Sequence, residues 1–129
     1  MSATVEKAIR VANAPCSWGT LEFELRCGEH GYLEVLNEMA RAGYEGTELG
    51  DWGFMPTHPA QLARELEKRN LALTGALVEV ALSQAETFGD GMEQALTIAR
   101  LLAASGSSPF LVLSDVIGGE EVRHSSPLA

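Results

Sequence analysis

The sequence predicts an α/β fold, a parallel sheet built of βα repeats. Three observations carry that reading. Apolar runs alternate with amphipathic segments along all but the last part of the 129 residues. The runs start near residues 9, 46, 72 and 110, a rhythm of roughly 30 residues per unit that matches one strand plus one helix plus their loops. Each run also turns polar or aromatic at its carboxyl end, the end at which parallel α/β sheets carry their function.

The elements follow in order. Residues 9–14 are mostly apolar and stop at Pro15, which cannot continue a central strand, so they form strand one. A long loop through Ser17, Trp18 and Gly19 leads to Gly31. Residues 32–42 read as a helix, with Leu33, Leu36 and Met39 or Ala40 at steps of three and four, and Gly43 stops it. Strand two is residues 46–50. Pro59 suits a first helical position, which makes His58 or Thr57 the N-cap, and the helix carries Leu62 and Leu66 to a left-handed stop at Asn70. Residues 71–80 form strand three. A helix lies within residues 83–105, clearest from Met92 to Ala104, with Ala95, Ile98, Ala99 and Leu102 on one face and Gly106 closing it. Residues 110–115, FLVLSD, read as a buried strand four. The remainder, 116–129, carries Gly118-Gly119 and Ser125-Ser126-Pro127 and predicts an irregular tail.

This β-α-β-α-β-α-β order implies right-handed crossovers. It suits an eight-stranded α/β barrel and a small open sheet equally, and spacing does not separate the two.

Composition bounds the function. Hydrophobic residues are 46% and charged residues 21%, ordinary for a globular chain. The length fits one domain, 1–129. The formal charge of -9 argues against nucleic acid and against an anionic membrane surface, both of which attract clustered Lys and Arg. No apolar run approaches the roughly 20 residues of a membrane helix, and the first residues lack a signal-peptide core. Cys16 and Cys27 fit no metal-binding spacing and read as reduced thiols, so a soluble cytoplasmic protein is expected.

Chemistry collects at the strand ends. Strand one leads into Asn13, Cys16, Ser17 and Trp18, strand two into Glu48, Asp51 and Trp52, strand three into Glu79, and strand four into Ser114 and Asp115. Within "GTELGDWGF", Thr47 and Leu49 share one face and Glu48 takes the other. With Leu49 against the helices, Glu48 points into a barrel or crevice. A plainer role stands beside each. Glu48 fits a carboxylate satisfied by a neighbouring donor, Asp51 a turn residue between glycines, the two tryptophans core packing, and His58 a cap. Dinucleotide, P-loop and serine-nucleophile motifs are missing, and His30, His58 and His124 sit in no ligand spacing.

The strings "VANAPCSWGTLEFE", "GYEGTELGDWGFMP", "LALTGALVEVAL" and "PFLVLSD" together resemble the amino-terminal half of the sugar phosphate isomerase/epimerase family. This is the xylose isomerase-like TIM-barrel group that takes in inosose dehydratase. The first two strings are specific in combination; the last two are weak alone. The resemblance implies a partial TIM barrel covering about strands one to four, acting on a small sugar or polyol by proton transfer next to a carbonyl. It implies Asn13, Trp18, Glu48 and Trp52 as substrate-pocket wall. It further implies one divalent metal, Mn, Mg, Co or Zn, acting as a Lewis acid. The family's ligands come from the second half of its barrel, and this sequence offers none. Ending in "EEVRHSSPLA", the chain reads as a truncated relative, inactive alone. The alternatives are a non-catalytic half-barrel that assembles with a second half or with itself, and a small polyol-binding α/β domain. Self-association is expected because a half-barrel leaves open edges and an uncovered face.

Overall fold

A computed structural model describes residues 8–19 and 31–115. The expected loop at 20–30, with Cys27 and His30, and the expected tail at 116–129 lie outside the described residues. Four strands are present: β1 (Ala12–Asn13), β2 (Gly46–Glu48), β3 (Ala72–Val80) and β4 (Phe110–Asp115). Between them run α1 (Tyr32–Arg41), α2 (Pro59–Glu67) and α3 (Phe88–Ala103), and a 3-10 turn, Pro15–Trp18, follows β1.

The sheet order is β1-β2-β3-β4, and every neighbouring pair is parallel. That order separates a one-directional winding from a doubly wound sheet. A doubly wound sheet reverses its strand order at a switch point. Here the order never reverses, so successive right-handed crossovers lay every helix on the same face. Burial agrees with this. Thr47, Leu73, Ala76, Val78 and Val80 are buried on one side of the sheet. The apolar ones form a single cluster with Val35, Leu36 and Met39 of α1, Leu62 and Leu66 of α2, and Ile98 and Leu101 of α3. Glu48, Leu77, Glu79, Phe110 and Val112 occupy the other side and are exposed. The arrangement is the one-directional winding of a partial βα barrel.

Local chemistry explains the element ends. Gly43 takes φ 92 after α1, and Tyr44 N–H returns to Met39 O at 3.1 Å, closing the last turn. Pro59 starts α2 after His58, whose backbone is extended and whose side chain makes no capping bond. Asn70 takes the expected left-handed φ of 53. Arg69 ties two helices together, its Nε donating to Asn37 Oδ1 at 2.6 Å and its Nη1 to Glu65 Oε2 at 2.9 Å.

Three expectations shift. The α1 stripe that is buried is Val35, Leu36 and Met39, while Leu33 faces out. Strand one pairs over two residues only, Ala12 and Asn13, and Ile9 before it is 91% exposed. Strand four is apolar yet not buried: Phe110 is 77% exposed, since β4 has a neighbour on one side alone among the described residues.

Candidate functional site at the carboxyl end of the sheet

The site is built around the end of β2. Gly46 is glycine because a Cβ there would lie 2.8 Å from Thr74 Cγ2 and 3.0 Å from Ala72 O. Thr47 is fully buried and satisfies its hydroxyl by donating to Glu48 O at 2.8 Å. The register with β3 slips at this point: Thr47 pairs with Leu73 and Glu48 with Gly75, leaving Thr74 as the extra residue of a bulge. Bulges re-aim side chains and often flank sites. Leu49 is buried against the core, and its N–H reaches Gly75 O at 2.9 Å. Glu48 is thereby held on the exposed face, away from the helices.

After β2 the chain turns sharply. Gly50 and Gly53 take φ of 71 and 94, and Phe54 N–H donates to Asp51 O at 3.0 Å. Leu49 before the turn and Met55 after it are buried, with Phe54 packed against the core, so both ends of the turn are anchored. Asp51 and Trp52 are carried outward between them; Trp52 remains 40% exposed. They line a pocket of about 250 Å³ together with Leu77, Glu79, Gln94 and Ile98. Partial burial raises the Asp51 carboxyl above its ordinary value. A protonated Asp51 donates a hydrogen bond where an ionised carboxylate only accepts.

The other strand-end residues sit differently. Asn13 Oδ1 accepts from Ala14 N–H at 2.8 Å and from the Ser17 hydroxyl at 2.7 Å, which organises the 3-10 turn. Trp18 closes that turn; its indole N–H donates to a Glu38 carboxylate oxygen on α1, and its ring meets Tyr44 edge-on with centroids 6.4 Å apart. Gly50 packs against Pro15, which brings the 3-10 turn beside the end of β2. Of the four sequence-predicted wall residues, Trp52 lines the pocket, Glu48 lies on the open sheet face, and Asn13 and Trp18 stand at the neighbouring turn. Gln94 joins the pocket unannounced by any motif. Its only signal is its position four residues before the buried Ile98, one helical turn along α3.

Asp115, at the end of β4, accepts from Leu82 N–H at 2.9 Å and so fixes the loop after β3. Among the described residues no group of three or more His, Cys, Asp or Glu side chains is placed to hold a metal ion. The described residues do not fit the divalent ion that the family resemblance implies. Cys16 is exposed and free. No helix among the described residues is long and apolar enough to cross a membrane.

No protein-family model matches the chain. Individual relatives do. The chain is 35% identical over 71 residues to the inosose dehydratase of Salmonella typhimurium, covering 55% of this chain and 23% of that protein. It is 36% identical over 70 residues to that of Mesomycoplasma hyopneumoniae, covering 54% and 23%. With the Lactiplantibacillus plantarum inosose dehydratase it shares 35% over 75 residues, 58% and 24% of the two chains. The match spans about a quarter of the length of these relatives. Over about half of its own length, then, this chain is similar to inosose dehydratases.

Proposed function

We propose that the carboxyl end of this sheet binds a small sugar or cyclic polyol, an inosose in the first instance, as the amino-terminal part of an inosose dehydratase-like site. The observation that carries this is the likeness to proteins named inosose dehydratase. The strand-end geometry supports it. A polyol offers C–H faces and hydroxyls, and the β2 end sets a partly exposed Trp52 ring beside Asp51, Glu79 and Gln94. The ring supplies apolar area for the C–H face. Gln94 both donates and accepts, Glu79 accepts, and Asp51 donates when protonated. Asn13, Trp18 and Glu48 form the remaining wall in this reading, with Glu48 reaching the substrate from the open face of the sheet.

Dehydration next to a carbonyl removes a proton from carbon and expels a hydroxyl that leaves as water. A divalent metal would polarise the carbonyl in the wider metal-dependent family of sugar phosphate isomerases and epimerases. The described residues do not fit that metal. This chain's share is to bind and orient the polyol. Turnover is not expected of its residues alone, and a polyol-binding role without chemistry is the second reading, favoured by the lack of a three-ligand set among the described residues.

Calorimetric titration of the full chain with an inosose, run metal-free and with Mn²⁺, tests this. Saturable binding that weakens in Trp52→Ala supports the proposal. No heat above that of an unrelated diol of similar size contradicts it.

A further inference from the structure

Strand β3 outruns its neighbour on one side. It pairs with β4 from Gly75 to Val80 but with β2 only as far as Gly75. Leu49 N–H donates to Gly75 O at 2.9 Å where that ladder ends, and Gly50 then turns the chain at φ 71. The direction of the remaining main-chain groups follows. The Gly75 carbonyl faces β2, so across the same planar trans peptide the Ala76 N–H faces β4. Along an extended strand the two sides alternate residue by residue. Ala76, Val78 and Val80 therefore turn their N–H and C=O towards β4. Leu77 and Glu79 turn theirs to the side that β2 has left.

That side borders the pocket of about 250 Å³ lined by Asp51, Trp52, Leu77, Glu79 and Gln94. The gap is internal to the sheet: β2 fills the edge of β3 up to Gly75, and the turn that follows β2 stands at the mouth. Among the described residues no strand or turn bond takes up Leu77 or Glu79 on this side. Main-chain groups without a protein partner are satisfied by water or by a ligand.

We propose that the Leu77 carbonyl and the Glu79 N–H hold a vicinal diol of the substrate, in place of the strand residue that β2 does not supply. In a parallel ladder that residue would donate its N–H to Leu77 O and accept from Glu79 N–H with its carbonyl. Standard bond lengths put its N and O about 2.8 Å apart, and staggered carbon–carbon bonds put the oxygens of a gauche vicinal diol about 2.9 Å apart. One hydroxyl donates and its neighbour accepts, as the strand residue would. The pairing selects for geometry. Two diaxial hydroxyls stand about 3.6 Å apart and cannot meet both groups, and a deoxy position lacks one partner. The substrate class is a small ring with adjacent gauche hydroxyls, and the groups that determine it are main-chain atoms.

This inference rests on the polyol-binding reading, and its tests separate the two. Amide hydrogen exchange of the full chain is read residue by residue, with and without saturating inosose. In the free chain Leu77 and Glu79 should exchange faster than Ala76, Val78 and Val80, which turn to β4. Inosose should slow Glu79 roughly tenfold or more beyond any slowing of Val78 and Val80. Glu79→Pro deletes the N–H at a position where no ladder bond is lost, and Glu79→Ala keeps it. Glu79→Pro should bind inosose roughly tenfold or more weakly than Glu79→Ala, with matching far-ultraviolet circular dichroism spectra. Heat of binding that depends on Trp52, with Glu79 slowed no more than Val78, overturns this inference and leaves the polyol reading standing. Leu77 and Glu79 as protected as their neighbours in the free chain would show the edge already taken up, and overturns it as well. No binding of inosose at all overturns both.

Discussion

Pro15 stands where a side chain on Gly50 would have to go: a Cβ at Gly50 would lie 2.9 Å from Pro15 Cγ. That contact joins the turn after β1 to the turn after β2, and the carboxyl end of the sheet depends on it. Gly53, two residues past Asp51, also has a positive φ, but nothing lies within 4 Å of its missing Cβ. The pair separates steric need from conformational need. Gly53→Ala should cost about 1–2 kcal/mol for the left-handed backbone alone. Gly50→Ala carries the same cost plus overpacking against the proline ring, about 2–4 kcal/mol in all. Chemical denaturation of both variants checks the difference, and equal destabilisation would mean that Pro15 yields freely.

The two tryptophans should part company in the same way. Trp18 is engaged by Glu38 and Tyr44, and Trp52 lines the pocket partly open to solvent. Trp52→Ala should cost about 1–3 kcal/mol of polyol affinity with a small change in melting temperature. Trp18→Ala should lower both affinity and melting temperature, because it removes core packing along with the wall. Calorimetry and thermal melts on each variant give the four values needed. Full affinity in both variants would make the rings packing residues only.

Two carboxylates predict opposite pH trends. Hydrogen bonds first from Arg69 and then from Lys68 hold Glu65 below its ordinary value of 4.5. Its stabilisation is present above that value and is lost as pH falls through the depressed folded-state pKa. Glu65→Gln should flatten the acid side of the stability curve. Burial holds Asp51 above its ordinary 3.8, so the folded state keeps that proton longer and its contribution falls as pH rises through the window above 3.8. Asp51→Asn should remove that decline and leave neutral-pH stability equal or higher. Urea melts at intervals between pH 3 and pH 7 read both slopes; slopes of the same sign would contradict one assignment.

Equilibrium dialysis against Mn²⁺ should find no stoichiometric site of micromolar affinity on this chain. The motive is the lack of a three-ligand group among the described residues. A tight site would show that a ligand set forms which the described side chains do not display.

Much of the fold was legible because helix and strand periods are strong signals over long segments. Strand β4 begins and ends where its apolar run does, and α2 starts at Pro59 and is followed by Asn70 in the left-handed turn as the residue types require. Where pattern failed, tertiary contact had decided. The helix after β3 begins at Phe88, four residues before its clear apolar period, through Gly89 and Gly91 that weigh against a helix locally. Gly91 is there because a Cβ would come 2.8 Å from Val80 Cγ1, so the first turn of α3 can lie on the end of β3. No local rule announces that approach. The apolar character of β4 predicted burial, but burial needs neighbours on both sides, which a strand's own residues cannot specify. At the site, alternation placed Glu48 opposite Thr47 and Leu49 correctly, while Gln94 belongs to the pocket through helix packing that only the folded chain reveals.

Isotope-labelled backbone spectra recorded during titration with an inosose test most directly that the carboxyl end of this sheet is the binding site. The account predicts saturable shifts concentrated at Asp51, Trp52, Glu79 and Gln94, which line one pocket. Shifts concentrated instead at the opposite end of the strands, around Arg10, Thr74 and Ser108 in the pocket of about 380 Å³ there, would contradict it, as would no shifts at all.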